Sequence, residues 1–132
     1  MKTIFTLLSI LFFSIAYSQT SDKAGTLDYS FGDSGKVISR DFGGCHFMAL
    51  QQDNKIVCGA TLTGIGFRLV RYFNNGTIDS SFGEQGFADI ATTETFPELD
   101  GIQIQDDQKI VMGGYGYKNG VPTFIVTRCL PD

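Results

Sequence analysis

One histidine, three cysteines and a handful of carboxylates are the residues here whose types could do chemistry. His46 is the single histidine. A Ser–His–Asp or Cys–His arrangement around it would need partners from elsewhere in the fold, and no Gly-x-Ser-x-Gly elbow accompanies it. It lies in Gly43-Gly44-Cys45-His46, a loop-type stretch where a packed or solvent-facing histidine is the simpler reading. Cys45, Cys58 and Cys129 are scattered, so with one histidine they lack the spacing of a tetrahedral zinc site. Asp28 and Asp79 could offer oxygen to calcium, but no Asp-x-Asp-x-Asp loop surrounds them. Either could instead cap a turn by accepting backbone N–H bonds, or pair with Arg71 and Arg128. The run Gly113-Gly114-Tyr115-Gly116-Tyr117 has no following helix, Lys-Ser or Lys-Thr and is no phosphate loop. Tyr115 and Tyr117 could stack on a sugar or peptide, or simply pack. No catalytic, cofactor-binding or metal-ligating residue is assigned, and no cofactor is called for.

The elements that must position these side chains announce themselves by duplication. Gly25 to Gly35 reads GTLDYSFGDSG and Gly76 to Gly86 reads GTIDSSFGEQG, an offset of 51 residues. Further on, LQQDNKIVCG ending at Gly59 is echoed by IQDDQKIVMG ending at Gly113, an offset of 54. FRLVR from Phe67 to Arg71 is echoed by FIVTR from Phe124 to Arg128, an offset of 57. Both three-residue increments fall in presumed loops, Ala88–Gly101 and Gly114–Thr123, as duplicated structural units require.

The segments LDYSFGDSGKV, LQQDNKIVCG and LVRYFNNGTIDSSFG together resemble the delta-60 repeat, a tandem unit of secreted bacterial proteins. The likeness runs from Gly25 to the C-terminus. It implies β-propeller-like blades, a secreted or periplasmic bacterial protein, and more copies than the two present here. Because signal and repeat type look bacterial, the sequon match Asn75-Gly76-Thr77 receives no weight.

Taken in order, residues 1–18 read as a signal peptide. Lys2 gives the positive n-region, Ile4 to Ala16 is almost wholly apolar, and Ala16-Tyr17-Ser18 offers small residues at −3 and −1. The apolar run is short for a membrane span, which takes about 20 residues. No cysteine follows the cleavage site, so no lipid anchor is expected. Without Lys2 the chain carries nine basic and fourteen acidic side chains, a net charge of −5. Nucleic acid is thereby excluded as a partner, for lack of a basic block to meet phosphates. Residues 19–24 form a polar leader, 25–75 the first repeat or blade and 76–132 the second.

Short β-rich runs between Gly, Asn and Asp clusters predict an all-β chain of two four-stranded antiparallel blades, an incomplete propeller. The expected strands of the first are Lys36–Phe42, Phe47–Gln52, Lys55–Leu62 and Phe67–Phe73. Those of the second are Phe87–Ala91, Gly101–Gln105, Lys109–Tyr117 and Pro122–Leu130. Gln52-Asp53-Asn54-Lys55 should turn tightly, and Lys118-Asn119-Gly120-Val121 carries the Asn-Gly hairpin signal. Phe31 and Phe82 read as anchors between blades, which favours a packing role for the duplicated signature over a ligand cradle. Cys58 aligns with Met112 and Cys129 with Tyr72, so both suit buried strand positions. An exported chain could instead form one disulfide, most readily through Cys45.

Three functional readings follow. The first is an exported, non-enzymatic scaffold or binding module for a protein or glycan, without stable membrane anchor. The second is part of a propeller-type hydrolase or lyase. The third is a fragment of a longer repeat protein. Both outer faces of a two-blade unit stay uncovered, so self-association is expected. Three or four copies would close a ring within the usual range of about four to eight blades.

Overall fold

The computed structural model describes residues 23–40 and 44–131. The expected signal peptide, most of the leader, the end of the Lys36–Phe42 segment, and Gly43 and Asp132 lie outside the described residues.

Among the described residues, seven strands form two antiparallel sheets. The first holds β1 (Phe47–Leu50), β2 (Ile56–Leu62), β3 (Gly66–Tyr72) and β4 (Phe87–Ala91), paired in that order. The second holds β5 (Thr95–Ile104), β6 (Ile110–Lys118) and β7 (Val121–Cys129). The expected all-β architecture is present, and the expectation of two four-stranded blades is corrected to four strands plus three. The reason is how the chain allots its strands. Phe87–Ala91 belongs by sequence to the second repeat, yet it pairs with β3 through Val70↔Phe87 to Gly66↔Ala91.

Its counterpart in the first repeat, Lys36–Phe42, forms no strand over its described residues. Lys36 makes isolated bridges to Gly32 and Asp33 within its own loop. The expected strand Gly101–Gln105 begins earlier, at Thr95. A register shift between Thr95 and Glu98 absorbs Pro97, which can donate nothing to a ladder, and a second shift falls between Leu99 and Gly101.

Turn chemistry works as the residues demand. Asn54 and Gln108 hold φ of 64° and 65°, and in both turns the amide of the residue bonds back to a glutamine carbonyl, at 2.9 and 2.8 Å. Asn119 and Gly120, both at positive φ, link β6 and β7 as a two-residue hairpin.

The core lies between the sheets. Phe67 and Leu69 of β3 meet Leu99, Ile102, Ile110 and Met112 of the second sheet, and Phe82 enters from the β3–β4 connection. Full burial of each such side chain is worth about 1.5–3 kcal/mol. Alternate residues of the first sheet, Cys58, Ala60 and Val70, form a smaller cluster on its opposite face.

Candidate functional site

The duplicated signature and a cleft between the sheets are the two places where polar side chains converge. In the signature, Asp79 does both things foreseen for it. Its Oδ1 accepts from the Ser81 amide at 3.2 Å and hydroxyl at 2.5 Å, closing an Asx turn. Its Oδ2 takes the Arg71 Nε at 2.8 Å, with Lys55 Nζ at 3.5 Å. Arg71 is 3% and Asp79 1% exposed. The Arg71 guanidinium also donates to Gln51 Oε1 at 3.5 Å and to the Pro131 carbonyl, and sits 4.6 Å from the centre of the Phe82 ring. Backbone bonds complete the union: Asp79 N to Arg71 O at 2.9 Å and Arg71 N to Gly86 O at 3.1 Å.

Burial acts to raise the Asp79 pKa. The two Ser81 hydrogen bonds and Arg71 outweigh it and hold the carboxyl below its ordinary value. Within the turn, Gly83 stands at φ 54°, and a Cβ there would lie 2.1 Å from the Phe87 carbonyl oxygen. Only glycine fits. The arrangement fastens the start of one repeat to the last strand of the preceding one. Its charges are used inside the fold, as the packing reading of the signature expects.

The cleft holds what sequence reasoning missed. It has a volume of about 630 Å³ and is lined by His46, Thr61, Thr92, Glu94, Phe96 and Glu98 among others. These residues come from the β1 approach, the β2–β3 end and the start of β5, so it is built by both sheets. Phe96 is 83% exposed and held at φ 50°, a conformation that costs a non-glycine residue free energy and marks functional loops. The Glu98 Oε2 receives the Tyr115 hydroxyl, which raises the Tyr115 pKa above its usual value. Tyr117 meets Tyr115 edge-on, with centroids 6.4 Å apart. Tyr115 is thus tied to the cleft through Glu98, and Tyr117 packs against Tyr115. Chemically it offers carboxylates, hydroxyls, an imidazole and an exposed ring. That suits a ligand bearing hydroxyl or amino groups beside an apolar face.

No spacing in the sequence joins His46 to Glu94 or Glu98. The one available signal was the three-residue lengthening between Ala88 and Gly101, which falls where the cleft-lining loop is built. Cys45 is exposed, Cys58 buried and Cys129 half-buried, all as free thiols. Burial, with Cys45 alongside, pushes the Cys58 pKa up to about 12.

Residues 51–82 match the model of a β-propeller family described as a domain of unknown function, DUF5122. The matched stretch runs from the β1–β2 turn through β2 and β3 to Phe82, and so contains Gln51, Arg71, Asp79 and Phe82. No curated protein and no solved structure matches the chain. The match and the two sheets support a β-propeller-like repeat.

Proposed function

We propose that this is a delta-60-type repeat protein, exported by cleavage after residue 18, that serves as a non-enzymatic binding scaffold for a glycan or protein ligand. The observation that carries the reading is the division of labour within the repeat. The duplicated Asp79 and Arg71 are consumed in joining strands, whereas unduplicated residues, His46, Glu94, Phe96 and Glu98, line an open cleft. Rigid repeats presenting variable loops are a common way to build binding surfaces.

Profiling the purified protein against immobilised oligosaccharides and peptides tests it. A ligand should be retained unchanged, and Phe96→Ala with Glu98→Gln should weaken its binding by tenfold or more. Binding indifferent to both substitutions would move the site elsewhere. The same cleft, with an imidazole and two carboxylates, is what favours the hydrolase or lyase reading. Time-dependent release of a cleavage product, lost in His46→Ala, would establish that alternative in place of ours. Export predicts that the mature protein begins at or within a residue or two of Gln19, readable by N-terminal sequencing.

A further inference from the structure

The two signatures fold alike but only the second is docked on an arginine; the first touches its own chain at the Asn75–Gly76 turn, where the Gly32 amide donates to the Asn75 carbonyl at 2.8 Å. In both, the Asp accepts from the Ser two residues on, at 2.9 and 2.6 Å for Asp28 and at 3.2 and 2.5 Å for Asp79. The Phe amide bonds back to the Asp carbonyl at 3.0 Å in the first and 3.1 Å in the second. The glycine amide closing each loop reaches the Phe carbonyl at 2.8 Å in both. Yet Asp79 is buried against Arg71, and Asp28 is exposed. The first signature is therefore a preformed plug.

The matching socket lies on the second sheet. Arg128 of β7 corresponds to Arg71 of β3, and it donates to Gln105 Oε1 at 3.5 Å just as Arg71 donates to Gln51. Unlike Arg71 it is exposed. Among the described residues the outer edge of β7 pairs with no strand, whereas the same edge of β3 holds β4. The surrounding surface agrees. Phe124 and Val126, the counterparts of buried Phe67 and Leu69, are 85% and 67% exposed. A Cβ on Gly59 would strike Ile102 at 2.2 Å, but one on its counterpart Gly113 meets nothing within 4 Å. The counterpart of Ile102 is Met48, itself exposed. Met48 lines an apolar groove of about 530 Å³ beside the first signature, with Val37, Ile56 and Cys58.

The geometry points to head-to-tail association of this protein with a second copy of itself. Residues 25–40 of one copy dock on β7 of the next, extending the second sheet to four strands. The register follows from the internal precedent. Val70↔Phe87 becomes Thr127↔Lys36, Leu69↔Ala88 becomes Val126↔Val37, and Arg68↔Asp89 becomes Ile125↔Ile38. Asp28 then meets Arg128, Phe31 covers its guanidinium, and Phe124 with Val126 packs towards the groove at Met48. Such a heterologous contact closes into a ring or continues as a chain of copies. The inference rests on the propeller-type reading of the repeat, and not on the ligand cleft.

Sedimentation velocity of the intact purified protein between about 1 and 100 μM tests it, with Asp28→Arg, Arg128→Asp and their combination. Both side chains are exposed, so far-UV circular dichroism should be unchanged. The wild type should associate, each single variant should do so at least tenfold more weakly, and the combined charge swap should recover part of the loss, since it restores the charge pair but not the bonds from Ser30. Mixing the two single variants should restore association, because every contact between unlike copies then pairs opposite charges, one swapped and the next native. Ile38→Glu and Val126→Glu give a second pair acting on the same contact through its apolar part, each expected to weaken association. A monomer at 100 μM, or single variants that associate like the wild type, overturns the proposal. A monomer would leave the β7 edge to a following repeat on a longer chain. Such a monomer that still binds ligand in its cleft would leave the scaffold reading intact, so the two failures are distinct.

Discussion

The first signature and the second differ in almost nothing except what they touch. Both carry Asp, Ser, Phe and three glycines in register, and both close the same internal hydrogen bonds. In the second, an arginine, a strand edge and a sheet face surround the loop, and Phe82 becomes core. In the first, Phe31 is half-buried and Asp28 faces water. A motif of this kind has its local conformation fixed by short-range bonds and its energetic value set by long-range ones. The comparison separates the two contributions within one molecule.

The sharpest way to break it is to truncate the two rings. Phe82→Ala removes a fully buried side chain and should cost about 3–5 kcal/mol. Phe31→Ala should cost far less, about 1 kcal/mol, as befits a partly exposed contact. Urea denaturation of both variants at a concentration where the protein is monomeric measures the difference. Equal losses would mean that the first signature is as well packed as the second.

Next come the aspartates. Asp79→Ala leaves Arg71 buried without its carboxylate, and breaking such a pair costs about 3 kcal/mol or more. Asp28→Ala should leave the melting temperature of the monomer nearly where it was. The pair also predicts an acid limb. Because the folded Asp79 pKa lies below the unfolded one, its contribution is complete above the ordinary aspartate range, about pH 4, and is lost as pH falls through the folded value. Stability curves of wild type and Asp79→Asn should therefore converge towards low pH. A gap as wide at pH 2 as at pH 7 would refute the assignment.

These two comparisons also mark how far the sequence was legible. Turns and repeats could be read because their causes are local: Asn-Gly at Asn119, the Asp-Ser pairs, the glycines at positive φ. Burial of Cys58 followed from its alignment with Met112. The allocation of Phe87–Ala91 to the first sheet did not follow, because periodicity shows that a segment is extended and not which edge receives it. The start of β5 was hidden for a related reason. Phe96-Pro97 looks like a loop, and only two bulges keep Thr95 in the ladder. The cleft was invisible because His46 and Glu98 are brought together by the packing of two sheets.

Cysteine chemistry tests the packing behind the comparison. Cys45 should react with a thiol reagent at pH 8 well before Cys58, whose pKa is pushed up to about 12 by burial and by the Cys45 thiol beside it. Cys129, half-buried and also raised by burial, should fall between them. Since Cys45 and Cys58 are neighbours, mild oxidation should couple those two and leave Cys129 free, which peptide mapping would reveal. Simultaneous labelling of all three without denaturant would contradict the register of β2.

The smallest effect expected is a control, and it lies where the repeats should not differ at all. The β1–β2 and β5–β6 turns each end with a lysine amide donating to an aspartate Oδ1, at 3.2 Å to Asp53 and 3.3 Å to Asp107. Each lysine also returns its ammonium group to the same aspartate. Both aspartates are exposed, where water screens such pairs and their net worth is small. Asp53→Asn and Asp107→Asn should accordingly lower the thermal midpoint by little, and by the same amount. The only asymmetry foreseen is slight, since Lys55 reaches Asp79 as well. Matched midpoints would show that the repeats are equivalent wherever their contacts are local. A midpoint that drops for one aspartate alone would mean that the repeats diverge in their turns too, and the difference between the signatures could no longer be credited to docking.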